Sequence, residues 1–467
     1  MEEGRTYELS RIPRLILVCI FIFINLEYSS ELGILFYHES KLQKDINFND
    51  EELSLFNRMI YIGRIVGTFI YMILLTIIDN RKFLVLIALL SSCTLYFSFL
   101  FISKKMILYI IRFLLGFISI FLKIYIPVFI DQLGIKPLKT MMISAYTITS
   151  HLGEHLRIFH KVNNWRYELC YIGVILLVLA VIIIIFPSKY FKKGTEFKGY
   201  YIKDANNKDM KLINSKDDKN QKYGDSTFNL VKIMKDGNTN RNGLLSIFLN
   251  LTFMLSVFSQ AISIFISDIS ILYAREYIKI NYLPEEDSFG LALGSLIYQY
   301  FLASIFGPPF GALIGGSIVS CFGGYEEKYS CIVISLFNFF FHLLFFTISK
   351  YFYFPTLLTF YIITYMIYPI ITGYTISSLN TVQKGVGYSF SVLLNTIFEI
   401  YPLGSPINTI EKFIKIESRI SRFSSGLILC LGTILLQFTC YFRYIDLVKK
   451  KEKIKKQEEK EMENIEN

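Results

Sequence analysis

Charge is scarce in this chain: only 18% of its residues are Asp, Glu, Lys or Arg, against 53% hydrophobic ones. A soluble domain carries about 25% charge, so this surface is too poor in ions to face water on all sides. Tryptophan occurs once and proline eleven times in 467 residues. The seven cysteines (Cys19, Cys93, Cys170, Cys321, Cys331, Cys430, Cys440) are scattered, with no C-x-x-C pair and no zinc spacing. That pattern offers neither a disulfide framework nor a metal cluster. Walker A, G-x-G-x-x-G, nucleophile-elbow and kinase signatures are missing, so no nucleotide motor is visible and no cofactor is expected.

What the chain has is apolar blocks of 20–30 residues and a mean hydropathy of +0.44. Such blocks are long enough to cross about 30 Å of hydrocarbon, and they predict an all-α polytopic membrane protein. Twelve spans are predicted, at about 15–37, 54–78, 83–103, 106–131, 138–160, 165–186, 244–275, 288–320, 328–349, 353–380, 385–405 and 423–443. The first apolar run is too long for a signal-peptide core and lacks an A-x-A site, so it reads as a span. The expected organisation is a six-helix bundle over 1–186, a largely disordered cytoplasmic linker over 187–242, a second bundle over 243–444 and a charged tail over 445–467.

The net charge of +10 does not point to nucleic acid, because the cations sit in loops and in the tail. Arg5, Arg11, Arg14, Arg81, Lys82, Lys136, Lys139, the linker and the tail favour both termini inside. Two clusters on the other side, Arg157–Lys161–Arg166 and Lys412–Lys415–Arg419–Arg422, count against that orientation.

The segment RFLLGFISIFLKIYIPVFID, 112–131, carries Arg112, Lys123 and Asp131 inside a spanning run. An intramembrane charge costs about 2.5–3.5 kcal/mol on insertion scales, so such residues usually face a bundle interior or a watery path. Arg112 and Asp131 can snorkel from the two ends. Lys123, about two turns from the nearer end, fits that explanation less well.

Six helices, a long linker and six helices resemble the major facilitator superfamily, and several motifs sharpen the resemblance. Arg112, Gly116, Pro127 and Asp131 have the spacing of the spinster branch's fourth helix. Asp79-Asn80-Arg81-Lys82 is similar to the superfamily's loop between its second and third helices, two residues short and with Leu75 where a small residue is usual. Asn163-Asn164-Trp165-Arg166 resembles the start of the family's sixth helix. Ser119 stands where the spinster helix carries an acid, and the fifth helix holds His151, Glu154, His155 and Arg157 where the family is glycine-rich. The resemblance implies twelve spans in two bundles of the major facilitator fold, alternating access and no enzymatic activity. It implies a proton-coupled monomer among membrane lipids that carries a small organic or lipid-like solute, such as a lysophospholipid or sphingoid phosphate.

Glu27 and Glu31 lie four apart on one face of the first helix, at the depths of Arg64 and Arg112 respectively. An acid beside an arginine in a semi-dry cavity switches between paired and protonated states, or forms a permanent structural pair. The resemblance places a proton-coupling acid near Glu27. His151-Leu152-Gly153-Glu154-His155 matches H-x-x-E-H. His151, Glu154 and His155 are expected to line the translocation path and carry protons, with a transported metal or polar packing as alternatives. An intramembrane metallopeptidase is the rival from another class, and a silent receptor or scaffold is a third. Asp268, His342 and Glu399 are isolated ionisable groups in the second half, with Gln299 and Asn395 as weaker polar candidates. Asp79, Arg81, Lys82 and Asp131 are expected to latch the inner gate. Gly307, Pro308 and Gly311 are expected to form a hinge or a tight helix contact.

Overall fold

The computed structural model describes residues 11–78, 80–134, 138–156, 164–191, 246–265, 289–337, 353–379, 383–404, 431–432, 434–449 and 452. Within them the N-terminal helices are α1 (Arg11–Tyr37), α2 (Glu39–Ile46), α3 (Asp50–Ile77), α4 (Arg81–Ser98), α5 (Lys105–Leu133), α6 (Lys139–Leu156) and α7 (Trp165–Ile185). The C-terminal ones are α8 (Leu251–Phe265), α9 (Phe289–Cys321), α10 (Lys328–Phe337), α11 (Tyr353–Ser377), α12 (Lys384–Gly404) and α13 (434–449). Among the described residues, five of these helices (α1, α3, α4, α5 and α7) are long and apolar enough to span a bilayer. No strand occurs among the described residues. The chain is an integral multi-pass membrane protein. Most of the expected linker and most of the tail lie outside the described residues.

The short helix α2 was not expected. It follows α1 at the end of the bundle opposite Asp131, burying Leu42 and Ile46 and leaving its polar face outward. Asn47 then takes a left-handed conformation (φ 59°), which an asparagine tolerates better than most residues. The next helix starts with a complete capping box: Glu52 N donates to Asn49 Oδ1 at 2.7 Å, and Asn49 N donates to Glu52 Oε2 at 2.9 Å. Asp50, Glu51 and Glu52 add negative charge at the positive end of the helix dipole.

Helices α4 and α7 cap each other. Lys82, at the start of α4, donates to the last carbonyls of α7, Ile184 O at 2.8 Å and Phe186 O at 2.6 Å. Arg166, at the start of α7, donates to Phe99 O at 2.6 Å and Ile102 O at 2.8 Å, just beyond α4. The orphan carbonyls of both helix ends are thus satisfied by the partner helix.

Glycine sets the closest crossings. A Cβ on Gly63 would strike the carbonyl of Phe113, and one on Gly116 would strike the carbonyl of Ile60, so α3 and α5 touch backbone to backbone. Gly33 and Gly153 do the same for α1 and α6, and Gly311 and Gly315 for α9 against α11. Small residues at such contacts are the usual device of membrane helix packing. Gly307, Pro308 and Gly311 lie inside an uninterrupted α9, with Gly307 against Tyr361 and Gly311 against the Ile362 carbonyl of α11.

At the start of the expected linker, Ser188–Phe191 forms a 3-10 turn that buries Tyr190 and Phe191. The Phe191 ring sits 6.3 Å from both Phe21 and Phe129. Two aromatic side chains hold this stretch to the N-terminal core.

Candidate functional site

Among the described residues, ionisable side chains of the two halves meet at two levels. The first is the end of the bundle where α5 stops and α6 starts. Asp131, fully buried at the foot of α5, faces three partners. Lys384 Nζ of α12 lies 2.8 Å from Oδ2, Lys139 Nζ lies 3.8 Å from Oδ1, and Tyr325 donates its hydroxyl to Oδ1 at 2.5 Å. Lys139 also reaches Glu326 at 3.1 Å, and Tyr325 N donates to Thr140 Oγ1 at 3.2 Å. Burial, with the Asp131 carboxylate beside it, raises the Tyr325 phenol well above its usual range, so it remains a donor. Lys384, Tyr325 and Glu326 belong to the C-terminal half, while Asp131, Lys139 and Thr140 belong to the N-terminal half. A buried carboxylate that takes close, charge-assisted contacts from Lys384 and Tyr325, with Lys139 in ionic range, ties the two halves together at this end.

The second level is mid-depth, about 21 Å from the start of α3. Arg64 of α3 is 4% exposed and its Nη1 stands 3.8 Å from Glu399 Oε2 of α12, which is 24% exposed. That separation is ionic contact without a hydrogen bond. Arg64 Nε is buried without a hydrogen-bond partner, and the guanidinium lies 5.0 Å from the Tyr61 ring. Glu154 of α6 is in electrostatic range of Lys123, Glu399 and Arg64. Tyr146 feels Tyr368, Arg64 and Glu399, and Tyr388 feels Tyr146 and Tyr368. Tyr146 also donates to Lys123 O at 3.4 Å. His151 meets Tyr365 of α11 edge-on, with ring centroids 4.3 Å apart. Two cations, two acids and several phenols therefore converge from α3, α5, α6, α11 and α12.

The first-helix acids separate. Glu31 forms a closed pair with Arg112 of α5 and accepts from Tyr96 at 2.8 Å, both pair members being about 1% exposed. Arg112 also lies 5.5 Å from the Phe56 ring. Glu27 is buried at 6% exposure, facing the protein and not the surrounding medium. Lys123 is half-buried. Arg81 is buried with its guanidinium 5.9 Å from the Tyr125 ring, and Lys82 is occupied by α7 within its own half. Lys82 thus caps a helix of its own half, and among the described residues the ionic contacts between the halves at this end run from Asp131 to Lys384 and from Lys139 to Glu326.

Asp79, Asp268, His342 and the side chain of His155 lie outside the described residues. Among the described residues no group of three or more His, Cys, Asp or Glu side chains is placed to hold a metal.

Sequence reasoning passed over the uncharged seams. Asn25 of α1 donates to Tyr146 O at 3.0 Å and Ser150 Oγ at 2.8 Å of α6. Gln260 of α8 donates to Thr372 Oγ1 at 3.0 Å and accepts from Ser391 Oγ at 2.9 Å. An amide alone in an apolar block was the available signal.

No family model matches the chain, and no curated protein matches it by sequence. Solved structures match over nearly the full length. The proton:xylose symporter XylE, bound to 6-bromo-6-deoxy-D-glucose, superposes with a TM-score of 0.60 at 12% identity, covering 93% of this chain and 96% of that one. The transporter FucP in its outward conformation gives 0.59 at 12% identity over 92% and 99%. The human organic anion transporter MFSD10 gives 0.58 at 10% identity over 92% and 100%. The fold is that of the major facilitator transporters, with twelve spanning helices in two six-helix bundles. These similarities reach the fold and no branch within it.

Proposed function

We propose that this chain is a secondary active transporter that works by alternating access and couples a small organic solute to protons. The observation that carries the reading is the mid-depth cluster: Arg64 and Glu399, from different halves, face each other where Lys123, Glu154 and the tyrosines gather. Intramembrane ions placed at the seam between two bundles suit a path that opens and closes. Asp131 with Lys139, Lys384 and Tyr325 serves as the gate at the other level, on the cytoplasmic side if both termini lie inside. Glu27 is the proposed coupling acid, with Glu154 and His151 further along the proton path. The similar structures handle xylose, fucose and organic anions, which favours a small polar solute over the amphiphile that the spinster resemblance implies.

The test uses proteoliposomes containing a pH-sensitive dye. A panel of sugars, carboxylates and amino acids is added outside, and solute-dependent proton entry is recorded. At least one solute is expected to move protons, and Glu27→Gln is expected to abolish the proton signal. No proton movement with any solute would sink the coupled-transport reading, and an unchanged Glu27→Gln would remove that residue from it.

A further inference from the structure

The Arg64–Glu399 pair also bears on what is carried. Resting on the transporter reading above, we infer that the mid-depth site takes a small zwitterion of the amino-acid type, its carboxylate on Arg64 and its ammonium on Glu399.

Three observations lead there. The pair is 3.8 Å apart, so neither ion is hydrogen-bonded by the other, and Arg64 Nε lacks any hydrogen-bond partner although Arg64 is 4% exposed. A buried guanidinium with spare donors suits a carboxylate, which it can hold in bidentate fashion. Second, the opposite charge stands directly across the seam. An anion without a cationic end would bind Arg64 only by coming up against Glu399, and a bare cation would meet Arg64 in the same way. Like charges in a weakly screened site repel strongly, so a solute with one charge is disfavoured from either side. Third, the two charges that face each other across the seam, Arg64 and Glu399, sum to zero, and a neutral zwitterion leaves that balance intact. The phenol of Tyr146, in electrostatic range of the acid, adds a ring face and a hydroxyl that suit an ammonium group, and Tyr368 and Tyr388 lie next to that phenol.

The arrangement also makes the solute part of the gate. Arg64 rides on the N-terminal half and Glu399 on the C-terminal half, so a bound zwitterion replaces a loose ion contact with two charge-assisted ones that bridge both. Binding then favours the state in which the halves are drawn together.

The experiment uses the full-length purified protein. Thermal unfolding and proteoliposome uptake are measured with the twenty standard L-amino acids, their deaminated acids, their decarboxylated amines, and xylose and fucose. At least one amino acid is expected to stabilise the protein and accumulate, with its acid and amine analogues at least about tenfold weaker, since each leaves one buried charge unmatched. Glu399→Gln and Arg64→Gln should each lower amino-acid affinity by about tenfold or more, while Glu399→Asp and Arg64→Lys retain part of it. A zwitterion carried with a proton moves net positive charge, so an inside-negative potential should speed uptake, whereas a monoanion with one proton would be indifferent to it. The inference fails if an acid, an amine or a sugar binds as well as every amino acid, and the transporter reading then survives. If nothing in the panel binds or moves, both fall.

Discussion

Arg112 and Arg64 flank the same glycine crossing of α5 and α3, yet they are used in opposite ways. Arg112 is closed off: Glu31 pairs with it, Tyr96 completes the carboxylate, and all the partners lie in one half. Arg64 reaches across to Glu399 in the other half, beyond hydrogen-bond distance and with a spare Nε. Both arginines need an acid, because an uncompensated buried guanidinium costs several kcal/mol. The difference lies in whether the acid travels with the arginine. A pair within one half survives any relative motion of the halves, whereas a pair between halves can be made and broken by it. The tight pair belongs to the scaffold and the loose one to the cycle.

The sharpest way to break this contrast is Arg112→Ala, which strands Glu31 in an apolar core. A loss of about 3–5 kcal/mol is expected, read as a large drop in thermal stability of the detergent-solubilised protein. Equal damage from Arg64→Ala would erase the distinction. Next comes Asp131→Asn, which removes the charge that Lys384 and Lys139 share. Each lost charge-assisted contact is worth about 1.5–3 kcal/mol, enough to move the population by tenfold or more toward the state open at that end. Cysteines placed beside 131 and 384 should then react faster with a water-soluble maleimide. Gly63→Val attacks the crossing between the two arginines. Its side chain would press on the Phe113 carbonyl, and overpacking of about 1–3 kcal/mol should appear in the melting curve. The smallest effect belongs to Glu399→Gln. It is partly exposed and lies 3.8 Å from Arg64 without a hydrogen bond, and Glu154 remains in electrostatic range of that arginine. The guanidinium is then not left uncompensated, and stability should fall by only about 1 kcal/mol while uptake is lost. A large destabilisation there would mean that the seam is a permanent joint.

Much of this was legible in the sequence, because hydropathy in lipid is a strong signal. Spans expected at 54–78, 106–131 and 165–186 correspond to helices at Asp50–Ile77, Lys105–Leu133 and Trp165–Ile185. The matching depth of Glu31 and Arg112 also followed from counting residues along two helices. What could not be read was any contact between the halves. Glu399 stood out as an isolated acid, but nothing in a linear pattern aims it at Arg64, about 335 positions earlier. Lys384 and Tyr325 were equally silent, since a lysine at a helix start and a tyrosine in a loop are ordinary residues until they meet Asp131. Lys82 misled for the same reason: a cation in a loop motif looks like a latch, and only the end of α7 beside it shows that it is a cap.

The reciprocal capping of α4 and α7 bears on how the chain sits in its bilayer. Arg166 was one of the cations that weighed against placing the termini inside. Its guanidinium is committed to Phe99 O, Ile102 O and, at 3.1 Å, Ser103 Oγ. A group tied down in that way is a fixture of the helix pair, with little left to offer phosphate headgroups on either leaflet. A count of loop cations that treats each as a free charge therefore includes one that the fold has already committed to a helix end.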